Sequence, residues 1–388
     1  MSRASVLFAL ALLAACGAEG PPTGVDVEPQ LGSGNKPQQG SSSVTIVDLG
    51  FSTAFDIDNA GRVVGWQGPC CAGPFRSVLW DPATRRATDL GTLGGSEALA
   101  LAINEAAQIA GSAEDATGWR PAVWDAGVWR ALPDAGGPVG GAAEDISDGP
   151  ATDGAHWAVG EVSGWSVPAI WRVTGAGAGF SVSGPFSLPV PNAERALALA
   201  VNPSGTAAGY RMAVRIVSPT RSDTSPVPAA WTTVDGASWQ ASVLPLPAGQ
   251  TSGSAVDVNA AGTLIGHSSG PLRCGQGLVW AVPTATPTSL LDLAGGTCSW
   301  PEGINDAGYI AGVAQDAQRR SHAVLWIPEA SGYTIKALGR LKGTTGAGGR
   351  GLNEPRIGTA GTKVVEVVGY SAESSGRLRA TLWRVTVP

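Results

Sequence analysis

Charge is scarce in this chain of 388 residues: Asp, Glu, Lys and Arg make up 14%, and the net charge is −6 with no stripe of Lys or Arg. Nucleic acid demands such a stripe, so it is excluded as a partner. Only three His are present, and no Ser stands in Gly-x-Ser-x-Gly, which leaves little for a hydrolytic triad. No cofactor motif is found. The Gly-rich run Lys342 to Arg350 lacks the Gly-Lys-Ser/Thr ending of a phosphate loop and reads as a connection between strands. After residue 16 no apolar run is long enough to cross a bilayer as a helix.

What the chain does contain is a phrase repeated seven times. An Ile, Val or Leu is followed by Asn, Asp or Ser, a turn, a short apolar run closed by Gly, and then a Trp. The anchors are Asp58, Asn104, Ser147, Asn202, Asn259, Asn305 and Asn353; the closing glycines are Gly65, Gly111, Gly160, Gly209, Gly266, Gly312 and Gly369. The Trp of each copy stands at 80, 124, 171, 231, 280, 326 and 383. The spacing is about 49 residues, the length of a propeller blade and longer than a leucine-rich or ankyrin unit. A unit of that size cannot bury its own apolar face, so the copies must stack.

Asn-x-x-Gly between alternating apolar residues specifies a hairpin: Asn opens a type I turn and Gly takes the positive φ that follows. Asn104 to Ala107 loses that Gly. Blades three and seven lengthen the turn and are expected to be irregular. The segment ending in Trp is a third strand, and a fourth follows around Leu90, Leu132, Leu188, Leu244, Leu291 and Leu338. Four short strands per copy and no helical period point to an all-β, seven-bladed propeller over residues 44–388. The last copy stops after Trp383, while Thr45-Ile46-Val47-Asp48-Leu49-Gly50 matches a fourth strand and lacks a hairpin of its own. That N-terminal strand is expected to complete the last blade and close the ring.

The phrase resembles the HAF repeat of extracellular bacterial proteins. Asp89-Leu90-Gly91-Thr92-Leu93-Gly94-Gly95 keeps the Asp-Leu-Gly-x-Leu-Gly-Gly element, and His322-Ala323-Val324-Leu325-Trp326 keeps the His-Ala-Phe-x-Trp element best. The resemblance implies a secreted, repetitive β fold and brings no catalytic residue.

Ahead of the repeats, residues 1–15 read as a signal peptide: Arg3, the apolar run from Val6 to Leu13, then Leu13-Ala14-Ala15-Cys16. The last four look like a bacterial lipobox, which would make Cys16 the acylated N-terminus and the membrane anchor. The alternative is an ordinary signal peptide with an incidental Cys. Residues 16–43, rich in Gly, Pro, Ser and Gln, read as a tether. The expected location is therefore extracytoplasmic. Four further cysteines suit an oxidising compartment, with Cys274 and Cys298 the preferred disulfide and Cys70 and Cys71 either a vicinal bridge or two thiols. Their spacing matches no zinc pattern.

Departures from the repeat mark the candidate site. Two residues before the anchor stand Asp56, Asp145 and Asp257 in blades one, three and five, where the other blades carry Ala or Gly. These three carboxylates are placed near the axial channel, to gather a cation or water there or to accept local backbone N–H groups. Trp66, Trp119, Trp165 and Trp300 lie outside the repeat positions, with Glu97, Glu194, Glu302, Arg320 and Arg350 near them in sequence. Aromatic residues among polar loops make a recognition surface, here expected on the face of the blade-to-blade and second-to-third-strand loops. His156, His267 and His322 read as solvated loop residues. Three functional classes follow: a binding module for a protein or polysaccharide of the cell envelope, a carbohydrate-active enzyme on the same scaffold, and an envelope-assembly scaffold.

Overall fold

The computed structural model describes residues 43–387, apart from 69–72, 135, 137–138, 165–166, 191–194, 219–220, 271–272 and 359–360. The expected signal peptide, Cys16, the tether up to residue 42, Cys70, Cys71, Trp165 and Glu194 lie outside the described residues. Seven antiparallel sheets form the ring of a seven-bladed propeller, with a 3-10 turn at Gly177–Gly179. The innermost strands are Thr53–Ile57, Ala98–Ile103, Ala142–Ile146, Ala196–Val201, Ser252–Val258, Ser299–Ile304 and Gly346–Leu352. We call the face on which they begin the upper face.

The N-terminal strand Val44–Asp48 is the outermost strand of blade seven and pairs antiparallel with Leu378–Val387 from Val44↔Val385 to Asp48↔Thr381. Its side chains alternate between the two neighbouring cores. Val44 and Ile46 pack on the blade six–seven cluster, and Val47 packs on the blade seven–one cluster. The apolar core thus lies between blades rather than along the axis, as the stacking argument requires.

The repeat glycines and turns now have a physical cause. A Cβ on Gly65, Gly111 or Gly209 would stand about 2 Å from the carbonyl oxygen of Thr53, Leu99 or Leu197 on the innermost strand. That carbonyl is pushed forward by a bulge, which all seven innermost strands carry at the same place. In the turns, Gly61, Gly205, Gly262 and Gly308 take φ between 78° and 84°, whereas Ala107, standing where Gly is lost, is forced to φ 64°. The Gly-rich run is a correction: Gly346 to Arg350 is not a connection but the start of the innermost strand of blade seven. Blade seven is irregular as expected, with an added short strand Arg356–Ile357 on its lengthened turn.

Several recurring sets of bonds join blade to blade. At the lower inner edge the anchors form a ladder, with the amide of Asn202 donating to the Asn259 carbonyl, Asn259 to Asn305, and Asn305 to Asn353. Each of these Asn also accepts a backbone N–H across its own turn, as from Thr206, Thr263 and Tyr309. Farther out, the indole N–H of Trp171, Trp231, Trp280, Trp326 and Trp383 donates to the carbonyl of Pro133, Pro189, Pro245, Leu291 and Gly339 on the preceding blade, at 2.8–3.1 Å. These five Trp are buried. Another set belongs to the axial carboxylates and is described with the site.

Candidate functional site

Asp56, Asp145 and Asp257 each follow the bulge of their innermost strand. The Asp56 carboxylate accepts the N–H of Ile57 at 2.8 Å and, across the blade boundary, that of Ile103 at 2.9 Å. Asp257 does the same with Val258 and Ile304, both at 2.7 Å, and Asp145 reaches Val201 at 2.7 Å. These three side chains therefore clasp blades one to two, three to four and five to six. They keep some accessible surface because they face the channel, yet protein surrounds them. Burial pushes Asp56 up to about 8, Asp145 to about 6 and Asp257 to about 7; the charge of Asp145 adds to the rise at both Asp56 and Asp257. The expected contact with backbone N–H groups is thus present, extended to the next blade. Among the described residues no three His, Cys, Asp or Glu are grouped to hold a metal ion.

The bulge leaves one residue per blade at a common position on the innermost strands: Phe55, Leu101, Glu144, Leu199, Val256, Glu302 and Arg350, with Val256 packed on the blade five–six core. Arg350 and Glu302 are therefore not loop residues beside a Trp; they sit on innermost strands at the same bulge position. The Arg350 guanidinium lies over the ring of Phe55, 4.7 Å from its centroid, with Tyr370 at 5.7 Å. Its Nε is buried without a hydrogen-bond partner. Burial raises the pKa of Glu302, and the nearby charge of Arg350 partly offsets that rise.

Glu144 meets Glu161, a buried residue on the second strand of blade three. Glu144 Oε1 and Glu161 Oε2 are buried without a hydrogen-bond donor, and each carboxyl lies close enough to perturb the other. Burial is the main reason that both are raised above the ordinary carboxylate range. On the next blade Tyr210 is pushed up to about 12, first by burial and then by the charges of Glu161 and Glu144. One blade farther, burial lowers His267 to about 4, and its Nδ1 is buried without a partner. Glu161, Tyr210 and His267 occupy the same repeat position, directly after the closing Gly.

Chemically, the inner strands offer carboxyls raised by burial, an imidazole that burial keeps neutral, phenol hydroxyls, and the Arg350 guanidinium over aromatic faces. Glycoside hydrolysis uses carboxyl groups about 5–10 Å apart, whereas Glu144 and Glu161 interact directly, side chain to side chain. A hydroxyl held near 12 makes Tyr210 a hydrogen-bond donor and not a nucleophile at neutral pH.

The remaining sequence candidates fall elsewhere. Trp66 is corrected: it lies on the second strand of blade one, 1% exposed, with Phe75 edge-on at 5.1 Å. Trp119 and Trp300 are half-buried at the upper ends of strands, Trp300 against Gly275. The His reading is corrected as well, since all three stand on strands. His156 Nδ1 pairs with the Ser147 carbonyl and His322 Nε2 with Asp316, each at 2.9 Å. On the upper face Gly275 and Cys298 form a parallel bridge, which brings the backbone of residue 274 beside Cys298. The Cys274 side chain is outside what is described.

No family model matches the chain, and none of the curated proteins matches it. Solved structures share the general arrangement. A protein of unknown function from Dyadobacter fermentans is 12% identical at TM-score 0.46, with 89% of this chain and 99% of that one covered. A lectin from Aleuria aurantia is 13% identical at 0.37, covering 75% and 97%. The polysaccharide lyase Uly1 is 10% identical at 0.47, covering 88% and 90%. At these values none of the likenesses identifies a ligand or a reaction.

Proposed function

We propose that this protein is an extracytoplasmic binding module, held at the cell envelope by a lipid on Cys16, whose ligand enters the axial channel. The anchor rests on the sequence Leu13-Ala14-Ala15-Cys16 alone. The ligand site rests on one observation. At the bulge position blades two, four and five carry Leu101, Leu199 and Val256, while blades three, six and seven carry Glu144, Glu302 and Arg350. The fold is satisfied by an aliphatic side chain there, and burying a polar group that lacks a partner costs about 1–3 kcal/mol. Charge at that level is not a requirement of the propeller, and it supports a ligand role for the channel.

The test is a binding panel of soluble envelope-polysaccharide fragments and peptides, run on the full chain and on Leu199→Trp, which obstructs the channel without touching the charged positions. Loss of binding with an unchanged melting temperature is the expected result. Binding that survives the obstruction sinks the channel assignment.

A further inference from the structure

Arg350 presents a guanidinium in the channel with no hydrogen bond or ion pair to any described residue, held in place by the rings of Phe55 from blade one and Tyr370 from its own blade. A guanidinium carries five N–H donors in a planar fork that matches a carboxylate two bonds at a time. Stacking on aromatic rings fixes the plane of that fork and leaves its edge available. The next position along is Gly351, where a Cβ would stand 2.6 Å from the Asp56 carboxylate, so blade one packs closely against the backbone beside Arg350.

We propose, building on the channel-binding reading, that Arg350 is the anchor for the carboxylate of a small ligand, gripped bidentately at the level of the innermost-strand bulges. The ionisable groups packed around it are Glu302 on blade six, Asp56 on blade one and Tyr370 on blade seven. Burial raises Glu302 and pushes Asp56 up to about 8, so near pH 6 the Asp56 carboxyl is neutral and does not repel an anion. As pH climbs through 8 Asp56 ionises, repels the ligand and weakens binding several-fold.

The experiment measures binding of two carboxylate probes, D-glucuronate and N-acetylglycine, against their uncharged counterparts D-glucose and N-acetylglycinamide, by calorimetry on the full chain at pH 6 and pH 8.5. At least one carboxylate should bind at pH 6 about tenfold or more tightly than its counterpart, and which one does so separates a sugar acid from a peptide-like terminus. Arg350→Leu places in blade seven the residue type that blades two and four carry, and it should abolish that binding while the chain stays folded. Glu302→Gln removes a competing charge and should tighten carboxylate binding at pH 8.5. If the uncharged probes bind as well as the acids, the carboxylate assignment falls while the channel reading stands. Failure of both acids to bind, retention of affinity in Arg350→Leu, or weakening in Glu302→Gln overturns it outright.

Discussion

The side-chain amide of Asn305 donates at 2.9 Å to the backbone carbonyl of Asn353, the residue at the same place in the next blade. Through its Oδ1 the same side chain accepts the N–H of Tyr309 at 2.9 Å and so closes its own turn. One residue thus fixes a hairpin and a blade interface together, which is why the anchor is Asn in four of the described ladder positions and not merely any turn former. Asn305→Ala leaves a buried carbonyl and a buried N–H unpaired and is expected to destabilise by about 1–3 kcal/mol, more than the few tenths typical of an exposed turn change. Denaturant titration of the variant checks this; a change within error of zero would remove the ladder as a stabilising device.

Ala107 sits at φ 64° where four equivalent turns place a positive-φ Gly in the same hairpin position. Ala107→Gly should therefore stabilise the protein, by roughly 0.5–1 kcal/mol, since relief of the left-handed strain outweighs the added freedom of the unfolded chain. Thermal melting at matched pH reads the sign directly.

Ring closure by the N-terminal strand gives a second contrast. Deleting residues 43–48 strips the outer edge of blade seven and uncovers apolar surface on two blade interfaces, so cooperative melting should be lost or aggregation should appear. Deleting residues 17–40 should leave the midpoint unchanged. Equal midpoints for the two truncations would mean that closure contributes nothing.

The axial carboxyls dictate how stability responds to pH. Asp56, Asp145 and Asp257 have folded values near 8, 6 and 7 against an ordinary 3.8, so between about pH 4 and pH 8 the folded chain binds more protons than the unfolded chain. Stability from these groups is fully present below pH 4 and falls as pH rises through 6 to 8. The melting temperature should accordingly be higher at pH 5.5 than at pH 8.5, with other groups held to the same comparison by low-salt controls. A midpoint that rises across this interval contradicts the assignment.

A disulfide between Cys274 and Cys298 remains a prediction, supported by the backbone bridge at Gly275. It would close a loop of about 25 residues and contribute on the order of 3 kcal/mol. Peptide mapping without reductant decides it, and recovery of both as free thiols from an oxidising host would refute it.

The blade period, the strand order and the closing strand were legible because each rests on a local signal repeated many times: Asn with Gly at a turn, Trp at the end of a strand. The site was only half legible. Glu302 and Arg350 stood out as unmatched charges, but the bulge breaks the two-residue alternation, so no period tells which way they point. Glu144 and Glu161 were passed over for the same reason, although Glu replacing the Leu of other blades three residues before the anchor is a readable signal. Trp66 and His267 misled because the second strand runs on past its closing Gly, turning residues that look like loop positions into strand positions. The run from Gly346 resembles a connection because close neighbours leave little or no space for a Cβ at Gly348, Gly349 and Gly351.

The direction in which the N-terminal strand runs sets the orientation of the whole ring. Val44 pairs with Val385, so the chain enters the propeller beside the place where it leaves it, at the lower rim, and Asp48 then climbs to the upper side where the first innermost strand begins. A propeller held by the segment before Val44 is therefore moored from beneath. Under the proposed lipid anchor, the upper rim with the half-buried Trp119 and Trp300 would face away from the membrane.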